Sequence, residues 1–197
     1  MSTGITDRWN TRHILPAVTL SFTLAACSTP INHEPPPKEL CGFETGGIHE
    51  KLFPNNYWEP IIESNEMGSF STECLYHTND GYLLQARSVL MRASDLPLGY
   101  IDSFDKYREI PATGPGREVG LVYEATVWPG FAYATVPCTL KESEDPESVL
   151  AVGIAANHPS DPEESEQILG DLIVPYTDAI MNGITACEWP EAWEGAR

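Results

Sequence analysis

The residues best suited to covalent or metal chemistry are the five cysteines of the chain, Cys27, Cys41, Cys74, Cys138 and Cys187. The chain has no Cys-x-x-Cys pair of the kind found in zinc sites, so we expect no metal site. The four cysteines after Cys27 are an even number, and in an exported chain such a set predicts two disulfides. Four cysteines allow three pairings that the sequence does not distinguish. We favour pairing nearest neighbours, Cys41 with Cys74 and Cys138 with Cys187.

Neither the spacing of the histidines nor any nucleophile motif in the sequence indicates a catalytic site or a cofactor. No two of the five histidines lie three or four residues apart, so none forms a helical metal pair. The chain has no Gly-x-Ser-x-Gly, His-Glu-x-x-His or Walker-type phosphate loop. Residues Thr113–Arg117 read TGPGR, which is rich in glycine but lacks the lysine of a phosphate loop. We interpret this stretch as a turn.

Acidic residues dominate the charge, with a formal net charge of −18. Such a surface repels nucleic acids and anionic lipid headgroups, so we expect no nucleic-acid partner. Acidic runs occur at Glu142–Glu147 and Asp161–Glu166, but neither has the alternating ligands and central glycine of an EF-hand loop. A catalytic carboxylate pair would need burial or crowding, which a sequence does not reveal.

Aromatic residues concentrate between positions 76 and 133. They are Tyr76, Tyr82, Tyr100, Phe104, Tyr107, Tyr123, Trp128, Phe131 and Tyr133. Aromatic side chains favour strands, so packing on a sheet is the first interpretation. The second is a tyrosine-lined groove for a small ligand, because ligand pockets combine apolar walls with a few polar groups.

An uncharged, mostly apolar segment, Ile14–Ala26, follows Arg8 and Arg12 and ends at Leu24-Ala25-Ala26-Cys27. A basic start, a short apolar run and small residues before a cleavage point are typical of a secretory signal peptide. The run is shorter than the about 20 residues that span a bilayer. We therefore predict that residues 1–26 are a signal peptide.

Leu24-Ala25-Ala26-Cys27 resembles the lipobox of bacterial lipoproteins. The resemblance implies cleavage after Ala26, a diacylglycerol on Cys27 and acylation, such as by palmitate, of the new N-terminus. Several acyl chains anchor a protein stably to a membrane. We expect the chain on the extracytoplasmic face of the cell membrane. Residues 27–40 are rich in proline and should form an extended tether.

From residue 41 onwards, local patterns predict alternating strands and helices. Short helices are expected at Thr45–Phe53 and Leu98–Ile110. Turn residues at Asn79-Asp80-Gly81 and Pro129-Gly130 lie between strand-like runs and predict two hairpins. The nearly continuous apolar run Glu147–Ala156 predicts a strand buried on both faces.

A long helix is predicted after Asp161, which can cap it, with Pro162 at its first position and Pro175 as a kink. Its apolar stripe consists of Leu169, Leu172, Ile173, Tyr176, Ile180 and Ile184, with Cys187 on the same face. The apolar stripe of this helix must be buried, and the face of a sheet would bury it. The predicted fold is therefore α+β: an antiparallel sheet of about five strands, with the C-terminal helix on one face. Residues 41–188 would form one domain and 189–197 an acidic tail.

The order of these features is similar to that of small actinobacterial envelope lipoproteins: lipobox, proline tether, CGF, ECLYH and a late helix followed by cysteine. The resemblance carries no catalytic residues. We expect a non-enzymatic binding module for a small ligand, an envelope polymer or an exported protein. The alternative is a cell-envelope hydrolase with a carboxylate and tyrosine site.

Overall fold

The computed structural model describes residues 35–54, 61–67, 71–92, 94, 104, 114–120, 123–141 and 147–190. In these ranges the chain forms one 3-10 helix, eight strands and one α-helix. They are the 3-10 helix Ile48–Leu52, β1 (Ile62–Met67), β2 (Ser71–His77), β3 (Tyr82–Arg92), β4 (Arg117–Val119), β5 (Glu124–Trp128), β6 (Phe131–Leu140), β7 (Glu147–Ala156), α1 (Pro162–Gly183) and β8 (Cys187–Glu188).

All strand pairs in the described sheet are antiparallel, and the strand order is β1-β2-β3-β7-β6-β5-β4. The short β8 pairs with the end of β6, beyond the part that β5 occupies. Strand β7 lies between β3 and β6, so the most apolar strand is central. The predicted α+β fold, with an antiparallel sheet and one helix packed on it, is confirmed.

Both predicted hairpins are present, because their turn residues suit reversal of the chain. Strands β2 and β3 meet across residues 78–81, and β5 and β6 meet across Pro129-Gly130, where Gly130 has a φ of 76°. A positive φ of this kind is favourable for glycine. The strand-like run Glu118–Trp128 before the second turn is not one strand, because β4 ends before Gly120, whose φ is 89°, and β5 begins at Glu124.

Helix α1 begins as predicted. The Asp161 side chain caps it by accepting a hydrogen bond from Glu164 N at 2.9 Å, and Pro162 occupies the first turn. The predicted end is wrong, because the helix stops at Gly183 and Ile184 is its extended C-cap. Cys187 therefore lies on β8 and not on the helix. Glycine is a poor helix former, which favours termination at this position.

The core lies between α1 and one face of the sheet. Because strand side chains alternate between faces, Leu150, Val152 and Ile154 of β7 point to the helix side. From α1 the buried partners are Ile168, Leu169, Leu172, Ile173, Tyr176 and Ile180. Each large aliphatic side chain buried here contributes about 1.5–3 kcal/mol relative to exposure.

Two disulfides fasten the ends of the described fold to the sheet. Cys41–Cys74 joins the segment before the 3-10 helix to β2, with Cα atoms 5.6 Å apart. Cys138–Cys187 joins β6 to β8, with Cα atoms 5.4 Å apart. The favoured pairing is confirmed.

Several predictions fall outside the described residues. These are the signal segment with Cys27, most of the tether, the helix at 98–110 apart from Phe104, and the tail at 191–197. Trp189 is described and is partly buried against the core. Among the described helices, none is long and apolar enough to cross a bilayer.

Candidate ligand-binding face

The face of the sheet opposite α1, called here the outer face, has a strip of small residues on its central strand. Ala151, Gly153 and Ala155 alternate with the core residues of β7 and therefore share this face. We call this strip the β7 groove. It is flanked by larger side chains of β6 and β3. The register places Phe131 and Gln85 on either side of Ala155.

The phenyl ring of Phe104 fills the β7 groove. A β-carbon at Gly153 would lie 2.4 Å from Phe104 Cζ and 2.7 Å from Cε2, so only glycine admits the ring at this depth. Phe104 is fully buried and forms a small apolar cluster with Phe131, Ala151 and Ala155. This cluster is separate from the core under α1.

Aromatic side chains form one wall of the groove. The rings of Phe104 and Phe131 are 5.2 Å apart between centroids and tilted by 54°. Trp128 stacks on Phe131 at 5.7 Å, and its Nε1 donates a hydrogen bond to Gly114 O at 3.0 Å. Tilted and offset aromatic pairs are favourable because of the ring quadrupoles. The contacts among these rings, and the hydrogen bond of Trp128, therefore hold the aromatic wall in place.

Polar side chains from β2 and β3 form the opposite wall. Gln85 is only 1% exposed, and its Nε2 donates to Glu73 Oε1 at 2.6 Å. That bond identifies the amide nitrogen, since a carboxylate only accepts. The carbonyl oxygen, Gln85 Oε1, is buried and has no hydrogen-bond partner among the described residues. Arg87 lies beside Gly153 in the register, with its Nε 3.8 Å from Glu73 Oε2.

A second concavity lies at the sheet edge formed by β4 and β5. Its volume is about 630 Å³, and it is lined by Glu118, Val119, Gly120, Tyr123, Glu124, Ala125 and Thr126. The lining is mainly polar and acidic, and β4 is only three residues long. The hollow is open, and Tyr123 is the single aromatic residue among those that line it.

Three tyrosines from the aromatic-rich region are held in their protonated form. Burial raises the pKa of Tyr76 and of Tyr123, and the nearby carboxylates of Glu63 and Asp178 raise it further. The Tyr76 hydroxyl lies 3.1 Å from Glu63 Oε1, and the Tyr123 hydroxyl 3.2 Å from Asp178 Oδ1. Burial also raises the pKa of Tyr133 to about 12. These tyrosines are therefore not bases at neutral pH, and the hydroxyls of Tyr76 and Tyr123 donate hydrogen bonds to the two carboxylates.

The described histidines are dispersed, and His49 has a structural role. His49 is fully buried and donates from Nε2 to Pro37 O at 2.7 Å, because a carbonyl only accepts. Its Nδ1 contacts the Thr45 hydroxyl. This residue fastens the end of the tether to the domain. Within the described ranges, no group of three or more His, Cys, Asp or Glu side chains could hold a metal ion.

The aromatic residues that suggested a tyrosine-lined groove lie in different parts of the described fold. Trp128, Phe131 and Tyr133 meet on the outer face together with Phe104. Tyr76 lies in the core, whereas Tyr82 is 44% exposed at the start of β3. Sequence reasoning did not identify Gln85 or the β7 groove. A signal for the groove was present in the sequence. Ala151, Gly153 and Ala155 are small residues at alternate positions of a strand that was predicted to be buried on both faces.

The chain matches no protein-family model, no curated protein and no solved structure.

Proposed function

We propose that this protein is a lipoprotein, anchored through Cys27 to the extracytoplasmic face of the cell membrane, that binds a small ligand without catalysing a reaction. The observation that carries the binding role is the outer face itself. Its β7 groove combines an aromatic wall with a buried amide oxygen that has no hydrogen-bond partner among the described residues. Ligand sites typically have this composition, with apolar walls and a few polar groups that fix orientation.

Export is supported by the two disulfides, because such bonds persist in oxidising compartments and are rare in the cytosol. The Leu-Ala-Ala-Cys sequence supports lipid attachment at Cys27. The bond from His49 to Pro37 O attaches the chain to the folded domain near position 37. The proline-rich residues before this point would span the distance from the lipid to the domain.

The alternative function, an envelope hydrolase, finds less support among the described residues. Tyrosine and carboxylate pairs do exist, at Tyr76 with Glu63 and at Tyr123 with Asp178. A general base is most effective when its pKa lies near the working pH. The pKa of both tyrosines is instead raised by burial, which suits a structural donor.

Lipid attachment is tested by expressing the full chain and Cys27→Ala in a bacterial host supplied with labelled palmitate. We expect the wild-type chain to be labelled and cleaved, because the diacylglycerol is attached to the Cys27 thiol. Cys27→Ala should remain uncleaved and unlabelled. Normal labelling and cleavage of this variant would contradict the lipoprotein assignment.

Ligand binding is tested by native mass spectrometry of the processed protein after gentle extraction from the host envelope. A dissociable extra mass of a small molecule is the expected result. Collisional activation should release that mass and leave the intact disulfide-bonded chain. A spectrum with only the bare chain, after incubation with envelope extract, would contradict the binding role.

A further inference from the structure

The β7 groove has the dimensions of one aromatic ring. Ala151, Gly153 and Ala155 provide a floor of small side chains, and the Phe104 ring lies so close to Gly153 that a β-carbon there would overlap it. Phe131 provides a tilted aromatic wall at 5.2 Å. A flat ring can make the same edge and face contacts, whereas a bulky aliphatic group would not fit as closely.

Gln85 supplies a hydrogen-bond acceptor beside this ring site. The register places it next to Ala155 on the outer face, and its side chain is almost completely buried. Its nitrogen is already bonded to Glu73, so the remaining group is the carbonyl oxygen. A buried acceptor without a donor is unfavourable, and a ligand that brought an N–H or O–H group would remove that cost.

On the polar wall of the groove, two described side chains carry opposite charges and offset one another. Arg87, beside Gly153, is paired with Glu73, and Glu73 also accepts from Gln85. A charged ligand would therefore compete with an existing ion pair. A neutral ligand avoids that competition.

From this arrangement we propose that the β7 groove is the binding site for a small, neutral aromatic molecule that carries an N–H or O–H donor. The ligand ring takes the position of the Phe104 ring over Gly153, and its donor bonds to Gln85 Oε1. This inference rests on the proposed small-ligand function and adds the location of the site and the chemical class of the ligand. Phe104 acts as an internal competitor, so ligand affinity depends on how readily its ring leaves the groove.

The test compares indole with benzofuran, which has nearly the same shape but no N–H group. Both are titrated calorimetrically into the full processed protein in detergent, with a detergent blank. We expect indole to bind about tenfold or more tightly than benzofuran, because only indole satisfies Gln85. Gln85→Met keeps the side-chain volume and should bring the ratio of the two Kd values close to one. Equal Kd values in the wild-type protein would overturn the proposal.

Phe104→Ala tests the competition. It should tighten indole binding by about tenfold, because the internal competitor is gone. Tyr82→Ala, which removes an exposed aromatic residue of the same sheet, should leave both Kd values unchanged. If Phe104→Ala fails to fold, Gly153→Ala tests the location of the site, because its methyl group fills the floor of the groove and should abolish indole binding. Unchanged indole binding in Gly153→Ala would overturn the proposal.

Different results would contradict the proposed binding function and the proposed location of the site. A native ligand that stays bound in Gln85→Met and Gly153→Ala would leave the binding function intact but place its site elsewhere. If the wild-type protein binds neither probe and carries no native ligand, both the site and the binding function are contradicted.

Discussion

The Phe104 ring lies directly over Gly153, at a distance that leaves no room for a β-carbon. An added Cβ would be 2.4 Å from Phe104 Cζ and 3.2 Å from Cε1. Gly153 is thus required by a close approach on the outer face, although it lies in the middle of a strand, where glycine is usually unfavourable.

Replacing Gly153 by alanine should destabilise the fold by about 1–3 kcal/mol, because the methyl group overpacks the Phe104 site. The free energy of unfolding, from urea titrations, checks this. The control is Gly183→Ala at the end of α1, where a β-carbon meets nothing within 4 Å. That variant should stay within about 1 kcal/mol of the wild-type stability, because the full propensity difference between glycine and alanine applies only in a helix interior. Equal stabilities for the two variants would contradict the overpacking explanation.

Removing the Cys138–Cys187 disulfide by a double alanine substitution should cost about 4 kcal/mol, because the bond closes a loop with a sequence separation of 49. Urea unfolding under non-reducing conditions measures the loss. The matched variant removes Cys41–Cys74, whose separation is 33, and should lose slightly less. A double variant as stable as the wild-type protein would show that neither chain-closure entropy nor local geometry stabilises the fold here.

Ser165→Ala should destabilise the protein by about 1–3 kcal/mol. The Ser165 hydroxyl accepts a buried hydrogen bond from Gly130 N at 3.0 Å, and its loss leaves that N–H without this acceptor. Thermal unfolding measures the change, and hydrogen exchange of the Gly130 amide should become faster. Ser160→Ala changes an exposed serine just before α1 and should have little effect. Similar behaviour of the two variants would argue against the proposed role of this bond.

Stability should fall as the pH is lowered through about 6.5, partly because of His158. Burial lowers the pKa of His158, and the charge of Glu164 only partly opposes this. The unfolded chain therefore binds a proton at a higher pH than the folded chain, so folding is favoured above the unfolded pKa. Urea midpoints between pH 8 and pH 5 check this, and His158→Gln should flatten that part of the curve. A curve as steep in His158→Gln would assign the effect to other groups.

Local sequence signals predicted most of the helix and hairpin positions. The cap at Asp161 with Pro162, the turn at Gly130 and the run Glu147–Ala156 each depend on residues close in the chain, so they could be recognised without the fold. Strand β1 was not predicted. Its sequence, IESNEM, has no regular apolar alternation, and it is a strand because it pairs with β2.

The sequence by itself determined the fold class, the two hairpins and the start of α1, because these follow from periodicity, turn residues and caps. It also predicted an even set of four cysteines for two disulfides, but not uniquely which ones pair. Only the tertiary structure decided that β7 lies between β3 and β6, which brings Gln85 next to Ala155 and Phe104 over Gly153. These contacts join residues far apart in the chain, and their free energy comes from packing and burial that no local pattern encodes.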